Sequence, residues 1–186
     1  MRVPRPLESR DGRFEVEGLS VFEWLEGDPP RTERDWREVS GTLSLVHDAT
    51  RGWAQRPGFA SSIDLLTQDH AGDVDLAALP NEVADLCRAA WRKLVGHPTS
   101  VVHGDPNAGN IRMTREGVGL LDWDEARVDV SLLDFSDIPG GDGDMSETVL
   151  ADVRAAGDAW EVASAWVKEP EYARRRRDEL ESRTRG

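Results

Sequence analysis

The stretch His103-Gly104-Asp105-Pro106-Asn107-Ala108-Gly109-Asn110 constrains this chain more tightly than any other part of it. It follows the short apolar run Ser100-Val101-Val102 and leads into a second apolar segment that closes on Leu120-Leu121-Asp122-Trp123-Asp124. The pattern predicts a strand, a polar loop to Asn110, and a hairpin with arms 110–113 and 118–123 and its bend at Arg115-Glu116-Gly117. Asn110 can then turn its carbonyl oxygen back toward Asp105, and Asp122, at the end of the hairpin, is brought to the same neighbourhood.

Three oxygen-bearing side chains so arranged suit phosphoryl transfer. A carboxylate at a strand end can orient a hydroxyl and take its proton, which is the role open to Asp105. The phosphates of a nucleoside triphosphate need Mg²⁺ to bridge them, and Mg²⁺ prefers hard oxygen ligands such as the Asn110 amide and the Asp122 carboxylate. Protein kinases use this layout, H-R-D-x-x-x-x-N followed by an Asp on the next hairpin, with the same Asp-to-Asn spacing.

The short form found here, H-G-D-x-x-x-x-N and then an apolar strand ending in Asp, resembles the aminoglycoside phosphotransferase family, kinase-like enzymes acting on antibiotics, choline-type alcohols and other small metabolites. The resemblance is specific from His103 to Asp124 and weaker elsewhere. It implies an α+β, protein-kinase-like fold, mainly the α-helical C-lobe with a remnant β-hairpin of the N-lobe. Residues 1–27 would be residual N-lobe strands and hinge, and residues 28–186 the C-lobe with catalytic loop and metal-binding hairpin. It further implies transfer of the γ-phosphate of ATP or GTP to a hydroxyl of a small molecule. Phe22, Glu23, Trp24 and Leu25 would receive the base, and Asp129 and Asp134 would belong to an Asp-rich turn opening the next helix. On the same pattern His103 is structural, bracing the loop. Asn107 either assists orientation or shapes the loop. Asp124, where protein kinases have Gly, is either an acid supporting the metal or a surface residue, and Trp123 reads as packing.

Elsewhere the signals are ordinary. Phe14-Glu15-Val16-Glu17 and the run Leu19 to Leu25 predict two strands turning at Gly18. Thr32 caps a helix to about Thr50, whose apolar face carries Trp36, Val39, Leu43, Val46 and His47; His47 reads as core or interface. Residues 51–75 read as irregular. A helix from about Leu76 to Val95 stops at Gly96-His97-Pro98, and two more follow near 145–167 and 170–183. The run Arg174 to Arg177 reads as a solvated face. Gly140-Gly141-Asp142-Gly143 reads as a turn, because it lacks the Lys-Ser/Thr of a phosphate loop.

Composition narrows the partners. The net charge of −13 repels phosphate backbones, so nucleic acid is not expected, and it suits a cationic substrate. No run reaches the roughly 18 apolar residues of a transmembrane helix, and nothing follows the basic start Met1-Arg2-Val3-Pro4-Arg5-Pro6 that would make it a signal peptide, so a cytoplasmic protein is expected. The single cysteine, Cys87, sits among apolar residues as a small hydrophobe.

The pattern also departs from a full kinase. The chain has two lysines, Lys93 and Lys168, both in predicted C-lobe helices, and no Gly-rich strand pair precedes residue 27. A fragment, a naturally shortened relative, or strands supplied by another chain would each explain this. In all three cases the chain alone is expected to turn over feebly or not at all. The sheet edge at Phe14 to Val16 is expected to favour self-association. Specificity is expected in the 51–75 and 139–167 regions, where Asp64, Asp69, Asp73, Asp142 and Asp144 would suit amines. A non-catalytic protein holding a cationic ligand or metal is the alternative reading, and a metal-dependent phosphohydrolase a third.

Overall fold

The computed structural model describes residues 1–72, 74–141 and 143–184. Asp73 and Asp142 lie outside the described residues, so their expected contribution to an amine site is not addressed by the structure.

Near the N-terminus, β1 (Pro6–Leu7) pairs antiparallel with β2 (Val21–Phe22). The chain reverses at Glu17 and Gly18, whose φ of 53° and 79° give the double positive-φ geometry favoured in tight hairpins. The turn at Gly18 is therefore as expected. The first strand is not: Val16 makes only an isolated bridge to Leu19, and the strand begins eight residues before Phe14, where the alternation suggested it. Exposed on both faces, this ribbon has no core to select one register by its pattern.

Helix α1 (Glu33–Ala49) starts where the sequence places it. The Thr32 hydroxyl accepts from the Asp35 N–H at 3.1 Å, and the Asp35 carboxylate accepts from the Thr32 N–H at 2.8 Å, a reciprocal cap. The backbone N–H groups of Arg31 and Thr32, both donating to it, hold the Asp35 carboxyl below its ordinary range. The region read as irregular contains a 3₁₀ turn, Asp64–Leu66, and a small hairpin of β3 (His70–Ala71) and β4 (Val74–Asp75).

Helix α2 (Asn81–Arg92) is shorter than its periodicity predicts, because Pro80 caps it and residues Leu76–Ala78 form a separate 3₁₀ turn. Cys87 is fully buried on it, and burial pushes its thiol up to about 12. The central frame is β5 (Thr99–Val102) paired antiparallel with β8 (Arg127–Val130), and between them lies the hairpin of β6 (Ile111–Thr114) and β7 (Gly117–Leu120). A 3₁₀ turn, Ser131–Phe135, then α3 (Glu147–Ala165) and α4 (Pro170–Thr184) complete the chain.

Strand β8, Arg-Val-Asp-Val, alternates with its polar residues inward, the inverse of the usual hydrophobic pattern. Arg127 and Asp129 form an ion pair at 2.9 Å with side chains only 2% and 0% exposed. Asp129 also accepts from the Ser62 N–H and hydroxyl at 2.9 and 2.7 Å, so its charge is fully partnered.

Two apolar clusters hold the layers together. The larger joins α2, α3 and α4 around Trp91, Leu94, Val153 and Leu180. The smaller packs α1 through Val39 and Leu43 against Ile111, Val118 and Leu120 of the hairpin. The arginine run on α4 is not simply a solvated face. Arg176 and Arg183 reach back to Asp158 on α3 at 2.8 and 2.6 Å. Among the described residues no helix is long and apolar enough to cross a membrane.

Candidate active site

The register of β5 against β8 determines where the site lies. Val102 faces Arg127, so the loop leaving β5 and the loop entering β8 emerge side by side. The first carries Asp105 and Asn110, the second Asp122, Asp124 and Glu125. Asp105, Asp122, Asp124 and Glu125 line one cavity of about 200 Å³, with Phe59, Trp160 and Ser164 among its other walls.

Within the loop, one amide orients another group. Asn110 Nδ2 donates to the Asp105 carbonyl oxygen at 3.0 Å and to its Oδ2 at 2.9 Å. Asn107 Nδ2 donates to both Asp105 carboxylate oxygens at 2.8 Å, while its Oδ1 accepts from the Gly109 N–H at 2.6 Å. Asn107 thus both shapes the loop and touches the carboxylate. Because Nδ2 of Asn110 is committed to Asp105, its amide oxygen is the atom left for a cation.

Asp122 stands at φ 57°, a left-handed conformation that Asp tolerates better than most residues. A backbone of this kind is strained by about 1–3 kcal/mol and recurs at ligand-binding positions. It turns the chain immediately after β7, next to the cavity. Among the described residues no group of three or more His, Cys, Asp or Glu side chains is placed to hold a metal ion. The donor set of one carboxylate and one amide oxygen instead fits Mg²⁺ bound partly by phosphates and water.

His103 is 0% exposed. Its Nε2 lies 2.7 Å from the Leu121 carbonyl oxygen, which can only accept, so Nε2 carries a proton. Nδ1 then accepts from the Asp105 N–H at 3.3 Å, and the ring packs on Trp123 with centroids 4.7 Å apart. Both ring nitrogens are occupied by the protein. Gly104 has φ 94°, and a Cβ there would lie 2.8 Å from the Glu125 carbonyl oxygen, which explains the glycine of H-G-D.

A residue behind the loop, in a role the sequence did not reveal, is the fully buried Asp134. Its carboxylate accepts the His103 and Gly104 N–H groups at 2.9 and 3.0 Å and meets His47 Nε2 at 2.8 Å. Burial alone would raise this carboxyl, but the His47 hydrogen bond and charge, with the two backbone N–H groups, hold it below its ordinary range. Of the acids expected to meet an amine, Asp64 accepts from the Ser61 N–H and hydroxyl and Asp69 pairs with Arg88, and neither lines this cavity. Glu125 and Trp160, from a loop and from α3, had no local signal. Trp160 donates to Glu125 at 3.4 Å and is stacked by Arg127 at 3.3 Å. Nearby, burial pushes the Glu161 carboxyl up against the opposing Tyr172 hydrogen bond, with Glu125 and Asp105 adding to the rise.

The segment expected to receive the base is only partly gathered. Trp24 and Leu25 line an open cavity of about 690 Å³ with Met113 to Glu116, whereas Phe22 and Glu23 do not. The Glu23 N–H is already donated to the Arg5 carbonyl oxygen at 2.9 Å.

Solved structures share this fold. The choline kinase LicA from Streptococcus pneumoniae superposes with a TM-score of 0.65 at 13% identity, covering 97% of this chain and 73% of the kinase; LicA is also solved in complex with AMP. A choline/ethanolamine kinase family protein from Mesorhizobium loti gives 0.60 at 15% identity, covering 100% and 75%. The gentamicin complex of APH(2″)-IIa gives 0.54 at 12%, covering 96% and 73%. Comparison with curated proteins found no match. A family profile described as "Phosphotransferase enzyme family" matches residues 1–172, and the chain belongs to that family.

Proposed function

We propose that this chain transfers the γ-phosphate of ATP or GTP to a hydroxyl of a small molecule, an aminoglycoside-like compound or an amino alcohol. The observation that carries the reading is the single cavity shared by Asp105 and Asp122, with Asn110 hydrogen-bonded to Asp105. Asp105 orients the acceptor hydroxyl and receives its proton at a carboxylate oxygen. Asn107 and Asn110 fix that carboxylate, and His103 braces the loop through Leu121. Asn110 Oδ1 and the Asp122 carboxylate hold Mg²⁺, with Asp124 supporting. When bound, the metal neutralises phosphate charge. Asp124 and Glu125 favour an acceptor that carries an amine.

Residues 1–27 serve as N-lobe strands and hinge, and the remainder as C-lobe. Turnover is expected to be slow, since Lys93 is bonded to Asp152 and Lys168 follows α3, leaving neither to grip the phosphates.

Thermal unfolding with nucleotide tests this. Mg²⁺ and ATP together should raise Tm by roughly 5–10 °C at about a hundredfold excess over Kd, and neither alone should. A coupled assay over aminoglycosides and amino alcohols should then find measurable transfer. Stabilisation by Mg–ATP without transfer to any acceptor would favour a non-catalytic binding protein, and no stabilisation would remove the reading.

A further inference from the structure

We infer that Arg112 grips the α- and β-phosphates of the bound nucleotide; the inference rests on the reading under Proposed function. Strand β6 alternates. Ile111 packs into the core against α1, so Arg112 lies on the opposite face, the same one its two-residue neighbour Asn110 occupies. Across the hairpin Arg112 faces Gly119, one rung in from the Ile111–Leu120 pair at the end where Asn110 and Asp122 sit.

The segment proposed to receive the base crosses this same face. The Leu25 side chain lies over Gly119, and a Cβ on Gly27 would stand 3.1 Å from the Arg112 Cβ. Arg112 therefore lies between the Trp24–Gly27 crossing and the two metal-binding oxygens. A nucleotide with its base at one and its γ-phosphate at the other carries its α- and β-phosphates past this guanidinium.

Its donors are suitably placed. Nη1 donates to the Gly109 and Ile111 carbonyl oxygens at 2.9 and 2.8 Å, which curls the side chain toward the loop. Among the described residues, Nε and Nη2 have no protein partner and can present two parallel N–H groups to a phosphate. The charge also matters, because a polyphosphate entering here meets Asp105, Asp122, Asp124 and Glu125. The α- and β-phosphates are held alike before and during transfer, so Arg112 contributes uniform binding, seen in affinity more than in kcat.

Calorimetric titration of the full chain with Mg–ATP, Mg–ADP and adenosine tests this. Arg112→Ala and Arg112→Gln should each weaken ATP and ADP by roughly tenfold, leave adenosine unchanged, and raise the nucleotide KM with kcat within about threefold. Arg112→Lys should be intermediate, keeping charge without the planar fork. Arg112→Gln retains a donor for the loop carbonyls and decides the matter if the alanine variant does not fold. If the wild type binds Mg–ATP and Arg112→Gln binds ATP and ADP equally well, the inference fails while the nucleotide reading stands. A parallel loss of adenosine would mean that Arg112 only shapes the loop, which also overturns the inference. A wild type that binds no nucleotide defeats the underlying reading instead.

Discussion

His47 Nε2 lies 2.8 Å from Asp134 Oδ2, and the same carboxylate receives the backbone N–H groups of His103 and Gly104. Helix α1 is thereby connected through one buried acid to the loop that bears Asp105. Removing one member of a buried, hydrogen-bonded pair leaves its partners unsatisfied. Asp134→Ala should cost about 3–5 kcal/mol in urea unfolding and Asp134→Asn less, since the amide still offers an oxygen to the loop.

The same carboxylate predicts acid sensitivity. Its folded-state pKa is below the ordinary 3.8, so the folded protein binds fewer protons there than the unfolded chain. Its contribution is complete above the ordinary value and is lost as pH falls below it. Stability should therefore drop through the region below pH 4 in the wild type, and less steeply in Asp134→Ala. Glu161 acts oppositely: raised in the fold, it makes stability fall as pH rises above its ordinary 4.5. The stability difference between Glu161→Gln and wild type should shift in favour of the variant from pH 4 to pH 7.

Gly104→Ala meets both a positive φ and the Glu125 backbone. A loss of at least about 1–3 kcal/mol in thermal unfolding is expected, with distortion of the Asp105 loop. A fully stable variant would show that the loop can take another path.

Asp105→Asn keeps one acceptor oxygen for Asn107 and Asn110 but removes the proposed base. Transfer should fall by about 10²–10⁴-fold while Mg–ATP still raises Tm. Asp122→Asn tolerates the same left-handed backbone, so its stability should match the wild type, yet the Mg²⁺-dependent part of nucleotide stabilisation should disappear. If both variants behave alike, the division of roles between the two acids is wrong.

The N-terminal ribbon exposes Leu19, Val21, Phe22 and Trp24, the last 84% exposed, and both of its edges are short and open. Self-association is expected on concentrating the protein. Light scattering should show larger species that Trp24→Glu and Val21→Lys reduce, and a single monomeric species at all concentrations would count against it.

The local geometry of the candidate site was legible in the sequence because it is written in neighbouring residues. The Asp105-to-Asn110 spacing, the glycine of H-G-D and the hairpin leading to Asp122 all depend on short-range geometry. So do the Thr32–Asp35 cap and the apolar face of α1. Strand β8 escaped because its buried face holds Arg127 and Asp129 in place of the hydrophobic residues that mark a strand, and the first strand escaped because an exposed ribbon has no core to select its register.

What the sequence determined by itself was the set of candidate acids and amides and the elements that carry them. Tertiary structure alone decided what surrounds those groups, because burial and charge neutralisation depend on side chains distant in the chain: the His47–Asp134 brace behind the loop, the Phe59, Glu125 and Trp160 walls of the cavity, and the face on which Arg112 lies.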